Sequence, residues 1–444
     1  MHRLKQYIKG DGLGALLIKA SIGSAGLRVT SMLLSFLVGV LLARNLGPSG
    51  YGIYALVMAI TALLTIPTEF GLPSLVTREV AAARAKKDWG RIRGVLSWAN
   101  TVVAILSLSL LGVTAGWLIF GGYIEDKLFS KTFLWGLLLI PLVALSNLRG
   151  ATLRGLEQII RGQLPDLVLR PGVFVLLLGS TVWFTKTSLT ADIAMALHVI
   201  AAAVAFFVGM VMLLKAIPSQ CRHAASVTEP GKWVSSAFPM ALTEGMRHLQ
   251  GHLAVLLLGW FATQSDVGLY RVADQVGILV ALPVSVIHIV VAPFISRLHA
   301  EEDHFRLKKI VSYASTGMFL GALCIFIVFA LFGQSFLGLF FGSEFKPAYN
   351  ALLILCSGQL ASSFFGPNAT LLNMTHHERL VTRAFLVSLI LSASLGIGLV
   401  PGYGIIGAAI ASTVGLLTWS ILMWNYARRV LNINASVIAV VKHL

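Results

Sequence analysis

Twelve stretches of mostly apolar residues, each long enough to cross a lipid bilayer, run through this chain and leave few folds open to it. A spanning helix needs roughly 20 such residues, because the hydrocarbon core is about 30 Å thick and tolerates no unpaired backbone amide. The stretches lie near 20–43, 52–73, 94–120, 131–149, 166–184, 190–214, 235–261, 269–295, 310–333, 346–372, 383–400 and 404–426. With 57% hydrophobic and 12% charged residues, and a mean hydropathy of +0.84, the chain has the composition of a protein whose solvent is lipid. The expected fold is an all-α polytopic membrane protein of about twelve transmembrane helices.

The net charge of +16 raises nucleic acid as a partner, but the basic residues fall in alternate loops and form no patch on one domain. Counted from the N-terminus, 26 of the 34 Lys and Arg lie in one set of alternate segments and six in the other, while Arg28 and Arg247 fall inside helices. The positive-inside rule then places both termini in the cytoplasm, and the expected location is the cell inner (plasma) membrane. Arg3, Lys5, Lys9 and Lys19 precede an apolar run too long for a signal peptide, so it reads as a retained first helix. Cys324 and Cys356 sit in apolar helices and Cys221 in a loop, which offers no disulfide framework.

The chain also repeats. A shift of 216 positions brings Gly52-Ile53-Tyr54 onto Gly268-Leu269-Tyr270 and Pro67 onto Pro283; shifts of 218 and 219 bring Ala151-Thr152-Leu153 onto Ala369-Thr370-Leu371 and Gly26-Leu27-Arg28 onto Gly245-Met246-Arg247. Six helices per repeat is an even number, so both halves cross in the same direction and pair about a pseudo-two-fold axis along the membrane normal, a common transporter design with its substrate site between the halves. The expected lobes are 1–218 and 235–444, joined by a polar cytoplasmic linker at 219–234.

No enzyme chemistry is visible. The Gly231-Lys232 pair lacks the glycine spacing of a phosphate cradle, and there is no Gly-x-Ser-x-Gly elbow and no cysteine pair at metal spacing. Neither cofactor nor metal is expected. A membrane polysaccharide polymerase is the competing enzyme reading; such enzymes carry acidic residues in a sizeable outside loop, whereas here the largest such group is Glu125-Asp126 in a short one.

Charged side chains within the membrane cost about 2.5–3.5 kcal/mol each at a helix centre, so they mark candidate sites. Arg28 and Arg247 occupy equivalent places in the two halves and suit a phosphate or diphosphate; the competing reading has each snorkel to the surface or pair with a carboxylate such as Glu244. Glu244, His248 and His252 recur on one helical face and, with Asp274, form the candidate ion-coupling group, against the alternative of a satisfied polar seam. Arg149 and Arg154, with Arg161 and Arg170, form a basic cluster that would attract lipid headgroups or a diphosphate, or simply reflect the positive-inside bias. Pro67 and Pro283 are candidate hinges. Glu69, ahead of Gly71 and Pro73, is expected to pair locally with Arg78 or to sit at a gate, and His288 to be a hydrogen-bonded packing residue.

The run Leu42-Ala43-Arg44-Asn45-Leu46-Gly47-Pro48-Ser49-Gly50-Tyr51-Gly52-Ile53-Tyr54, followed by Phe70-Gly71-Leu72 and Thr77-Arg78-Glu79, resembles the N-terminal signature of Wzx-type polysaccharide flippases. These belong to the multidrug, oligosaccharidyl-lipid and polysaccharide exporter superfamily. The resemblance is specific over about residues 20–95 and continues as a pattern of two six-helix lobes, as in the MATE-like fold. It implies that an undecaprenyl-diphosphate-linked oligosaccharide, an O-antigen (lipopolysaccharide) or exopolysaccharide repeat unit, is moved to the outer face by alternating access. An ion gradient would drive the movement, beside a polymerase and a chain-length regulator. A multidrug antiporter and a peptidoglycan-precursor flippase of the same superfamily are the rival readings.

Overall fold

The computed structural model describes residues 13–120, 126–184, 189–375 and 377–438, which form helices joined by short turns, with no strand among them. Eight of these helices are long and apolar enough to cross a membrane. Two are too long for one crossing: Gly26–Glu69 has 44 residues and Glu378–Leu431 has 54. At about 1.5 Å rise per residue, each would reach well beyond a single bilayer. Each is interrupted by a glycine with non-helical backbone, Gly47 (φ 67°) in one and Gly404 (φ 52°) in the other, and so comprises two crossings.

A further span, Ser343–Phe364 with Asn368–Met374, is bent by 47°. Sequence periodicity predicts an unbroken helix over 346–372. The break falls at Gly366, whose φ of 81° few other residues adopt, followed by Pro367, which has no N–H to continue the ladder. The seventh predicted span corresponds to the 32-residue helix Pro230–Phe261, the most polar of the set. Among the described residues, the eight apolar helices, two of them broken at a glycine, the bent span and Pro230–Phe261 stand where the sequence expects its crossings.

By packing, the chain divides into two compact units, residues 1–46 with 56–249, and residues 47–55 with 250–444. The division departs from the sequence halves at two places, and each has a visible cause. Residues 219–249 pack with the first unit because the linker lies along helix Trp89–Phe120: Val227 N–H donates to the Gly90 carbonyl (3.1 Å), and Arg93 Nη1 donates to the carbonyls of Arg222 (2.9 Å) and Ala224 (2.8 Å). Residues 47–55 join the second unit because Gly52 lies against Gly268 so closely that a Cβ on Gly52 would fall 3.1 Å from the Gly268 nitrogen and inside contact distance of the Gln264 carbonyl. The residues that align in the repeat therefore touch.

Within the first unit, helix Leu72–Ala85 is the keel. It starts after Gly71 (φ 69°) with Pro73 in its first turn, an arrangement that leaves no N–H wasted. It buries Leu72, Leu75, Val76, Glu79, Val80 and Ala83, an i, i+3, i+4, i+7 stripe. That stripe packs with Val95, Ala99 and Val103 on one side and Ala144, Leu148 and Ala151 on the other. The indole of Trp233, fully buried, closes this core, 5.2 Å from the Trp98 ring.

The second unit is pinned by caps and by its own C-terminal segment. Thr263 and Asp266 form a reciprocal capping box at the start of helix Gln264–Gly277, and Asp303 accepts from Arg306 N–H (3.0 Å) at the start of His304–Phe340. Residues 432–438 fold back onto the core: Trp424 Nε1 donates to Asn434 Oδ1 (2.9 Å) and Val437 N–H to the Phe364 carbonyl (3.1 Å).

Candidate functional site

The first unit contains a polar cavity of about 180 Å³ at the end where the basic loops lie, lined by Ile66, Glu69, Pro73, Asn147, Arg154, Glu244 and His248 among others. Local backbone chemistry builds it. The helix that carries Glu69 stops there, earlier than the predicted residue 73, because Phe70 (φ 44°) and Gly71 (φ 69°) both take the left-handed conformation. That turn opens a gap between two helix ends. Helix Leu139–Gly155 supplies Asn147 and Arg154 along one wall, seven residues apart and so on one face. Helix Pro230–Phe261 supplies Glu244 and His248 at i, i+4.

Glu69 accepts a 2.6 Å hydrogen bond from Asn147 Nδ2. It does not pair with Arg78, which instead reaches Glu79 (3.3 Å). The left-handed turn after Glu69 reverses the chain, so residues nine apart in sequence sit on different helices. Glu244 lies near enough to repel the Glu69 carboxylate and to attract the Arg154 guanidinium, and it pairs with Arg247 at 3.8 Å. The cavity thus gathers two carboxylates, a guanidinium, an imidazole and an amide.

The structure brings some sequence candidates together and scatters others. Arg154, Glu244 and His248 line the cavity. His252 lies one turn further along the same helix, half-buried, in the other packing unit. Asp274 is in that unit too, paired with Arg271 at 3.1 Å beside the Tyr51 hydroxyl. Arg28 and Arg247 are exposed on their helices, with 67% of the Arg247 side chain accessible.

Arg149 is held quite differently, its side chain 1% exposed and its Nη2 2.7 Å from Asp166 Oδ2. Its Nη1 donates to the carbonyls of Ala205 (3.0 Å) and Phe206 (3.1 Å). Asp166 sits in a π-helical turn, Pro165–Leu169, whose widened ladder lets the carboxylate reach across. This arrangement ties three helices together. Arg161 Nη1 donates to Gln158 Oε1 (3.1 Å) at the surface.

Pro67 lies less than one turn before the helix end at Glu69, and Pro283 lies in the first turn after the 3-10 segment Ile278–Ala281. Both therefore stand where helical geometry changes. His288 Nδ1 shares a 2.5 Å hydrogen bond with Thr370. Among the described residues no group of His, Cys, Asp and Glu gathers at metal-binding spacing.

Sequence reasoning missed Asn147 and Asp166. Each is a lone polar residue beside an apolar run, and that was the available signal; the partner 78 positions away was not legible.

A family model described as polysaccharide biosynthesis protein matches residues 18–299. The chain belongs to that family. Its curated relatives include a probable low-salt glycan biosynthesis flippase of Haloferax volcanii, 24% identical over 399 residues, covering 88% of this chain and 79% of the relative. A probable flippase of the same organism is 24% identical over 416 residues, 92% of this chain and 83% of the relative. Stage V sporulation protein B of Bacillus subtilis is 32% identical over 128 residues, 28% of this chain and 24% of that protein.

The fold is that of the MATE transporters. An inward-facing multidrug-resistance transporter of the MATE family in the MOP superfamily superposes with a TM-score of 0.73 over 93% of this chain and 98% of the other, at 13% identity. A MOP-superfamily transporter from Pyrococcus furiosus superposes with a TM-score of 0.62, over 96% and 97%, also at 13% identity. The chain is a multi-pass α-helical membrane protein with the fold of those transporters.

Proposed function

We propose that the chain flips an undecaprenyl-diphosphate-linked oligosaccharide, an O-antigen or exopolysaccharide repeat unit, from the cytoplasmic to the outer face of the plasma membrane by alternating access, making and breaking no covalent bond. The carrying observation is the family match over residues 18–299, joined by the flippase names of two relatives that align along most of the chain. In this reading both termini are cytoplasmic, an ion gradient supplies the driving force, and a polymerase with a chain-length regulator takes up the product. Arg28 and Arg247, exposed and cationic, are the diphosphate contacts, and Arg154 offers a guanidinium in the cavity of the first unit.

The decisive experiment is translocation of a fluorescent undecaprenyl-diphosphate sugar in proteoliposomes. Flipping by the purified protein, with the lipid recovered chemically unchanged, supports the reading; growth of a sugar polymer would replace it with a polymerase. One observation favours a second reading, an antiporter of organic cations: Glu69 and Glu244 put two carboxylates in one cavity. Gradient-driven uptake of an organic cation, without lipid flipping, would select it.

A further inference from the structure

We propose that Glu69 is the proton-binding group through which this transporter uses a pH gradient, with Asn147 as its positioning residue. The proposal rests on the flippase reading only for its transport readout, and it moves the coupling site to a residue outside the sequence-derived group of Glu244, His248, His252 and Asp274.

Among the other carboxylates buried or half-buried in the first unit, Asp126 caps a helix, Asp192 accepts from the Thr190 hydroxyl in the first turn of its helix, away from the cavity, and four answer to a cation. Glu79 is bonded by Arg91 (2.8 Å), Asp166 by Arg149 (2.7 Å), Glu229 by Lys232 (3.0 Å) and Glu244 by Arg247 (3.8 Å). Glu69 lies at the end of a membrane-spanning helix, and its hydrogen-bond partner is a neutral amide. A carboxylate so placed keeps its charge in a poorly solvated setting without a counter-ion in contact, a cost that one proton removes. Glu244, across the cavity, adds repulsion that the same proton relieves.

Each wall of the cavity contributes to this balance. Helix Leu139–Gly155 presents Asn147 and Arg154, and helix Pro230–Phe261 presents Glu244 and His248. Helix Leu72–Ala85 presents Pro73 and Ser74, neither of which titrates. Arg154 is the cation on the cavity wall, and the carboxylates that act on it are Asp166 and then Glu244. His248, on the Glu244 helix, lines the cavity and is also exposed at the helix surface.

A proton fits this site better than a metal cation. Glu69, Glu244 and His248 do not converge at ligand spacing, and a guanidinium in the cavity repels a second positive charge. The step balances simply: a proton from water on one side adds to the Glu69 carboxylate, and the neutral acid releases it to water on the other.

The test is Glu69→Gln in proteoliposomes, because the amide reproduces the neutral acid in shape and cannot titrate. A one-unit pH gradient is worth about tenfold for one coupled proton. The expected result is that the gradient accelerates wild-type flipping several-fold while Glu69→Gln flips at its gradient-free rate, with the ratio near one. Acceleration of Glu69→Gln equal to wild type overturns the proposal, as does a wild type that responds to a sodium gradient at clamped pH and not to a pH gradient.

Infrared titration of the carboxyl stretch in detergent supplies an independent readout. A protonated-carboxyl band that persists in Glu244→Gln and vanishes in Glu69→Gln supports the assignment even if wild type flips no lipid, which would sink the flippase reading alone. Should Glu69→Gln fail to fold, loss of the band in Glu244→Gln would move the site to Glu244 and overturn the proposal, and its persistence would support Glu69.

Discussion

The Arg149 guanidinium and the Asp166 carboxylate meet at 2.7 Å, with the Arg149 side chain 1% exposed and two backbone carbonyls accepting from its Nη1. A buried pair of this kind is hard to break singly, because removing one partner strands the other as an uncompensated charge. Asp166→Ala should therefore destabilise the detergent-solubilised protein by about 3–5 kcal/mol, read as a lowered unfolding temperature. The double substitution Arg149→Leu with Asp166→Leu should recover much of that loss. Equal damage from single and double variants would show that the loss comes from the missing pair itself and not from a stranded charge.

Gly52 and Gly268 leave no room for a side chain. A Cβ at Gly268 would lie 3.1 Å from the Gly52 nitrogen and inside contact distance of the Pro48 carbonyl. Overpacking of a close-packed contact costs about 1–3 kcal/mol, and backbone on both sides cannot rotate away. Gly52→Val and Gly268→Val should each lower the unfolding temperature and the yield of monodisperse protein. Gly112→Val, where a Cβ meets nothing within 4 Å, should leave both unchanged.

Arg28 and Arg247 are exposed, so their removal should leave stability nearly intact while affecting transport. The double variant Arg28→Ala with Arg247→Ala is expected to lower flipping of the diphosphate-linked sugar about tenfold or more, the value of roughly 1.4 kcal/mol and so within the range of one charge-assisted hydrogen bond. Its unfolding temperature should stay within a degree or two of wild type, about 0.5 kcal/mol for surface changes. Unchanged flipping would discard both residues as phosphate contacts.

The linker offers a test of topology. Ser226 is exposed, so Ser226→Cys should react with a membrane-impermeant maleimide in inside-out vesicles and stay unlabelled in intact cells; the reverse pattern would place the linker outside. Cys221 supplies a contrast. Burial raises its thiol pKa, so less thiolate is present at neutral pH, and alkylation requires thiolate. Native Cys221 should label slowly, faster as pH rises, and at the full rate after denaturation. Rapid labelling at neutral pH would show that the thiol is not buried.

The number of crossings, the even repeat and the basic-loop asymmetry were legible because they are one-dimensional. Lipid demands a run of about 20 apolar residues per crossing, and duplication leaves Gly52 and Gly268 in register whether or not the chain is folded. The same logic flagged the candidate Arg, Glu and His residues, since each stands out against an apolar background. It also placed His288 as a packing residue, and the hydrogen bond to Thr370 fits that reading.

What one dimension cannot carry is the partner of a polar side chain. Sequence proximity paired Glu69 with Arg78; the left-handed turn at Phe70 and Gly71 turned the chain away and delivered Asn147 from 78 positions on. Arg149 and Arg154 look alike in sequence, five residues apart on one helix. Because five residues turn about 140° beyond one full turn, they point in different directions, one into a packed interior against Asp166 and the other into a cavity. The sequence by itself determined that this chain is a many-span helical membrane protein built on a repeat, with charges to be satisfied inside the membrane, since hydropathy, length and parity are local sums. Only the tertiary structure decided which of those charges are neutralised by packing and which stand in an open cavity, because a hydrogen bond depends on distance and direction in space, and a linear pattern contains neither.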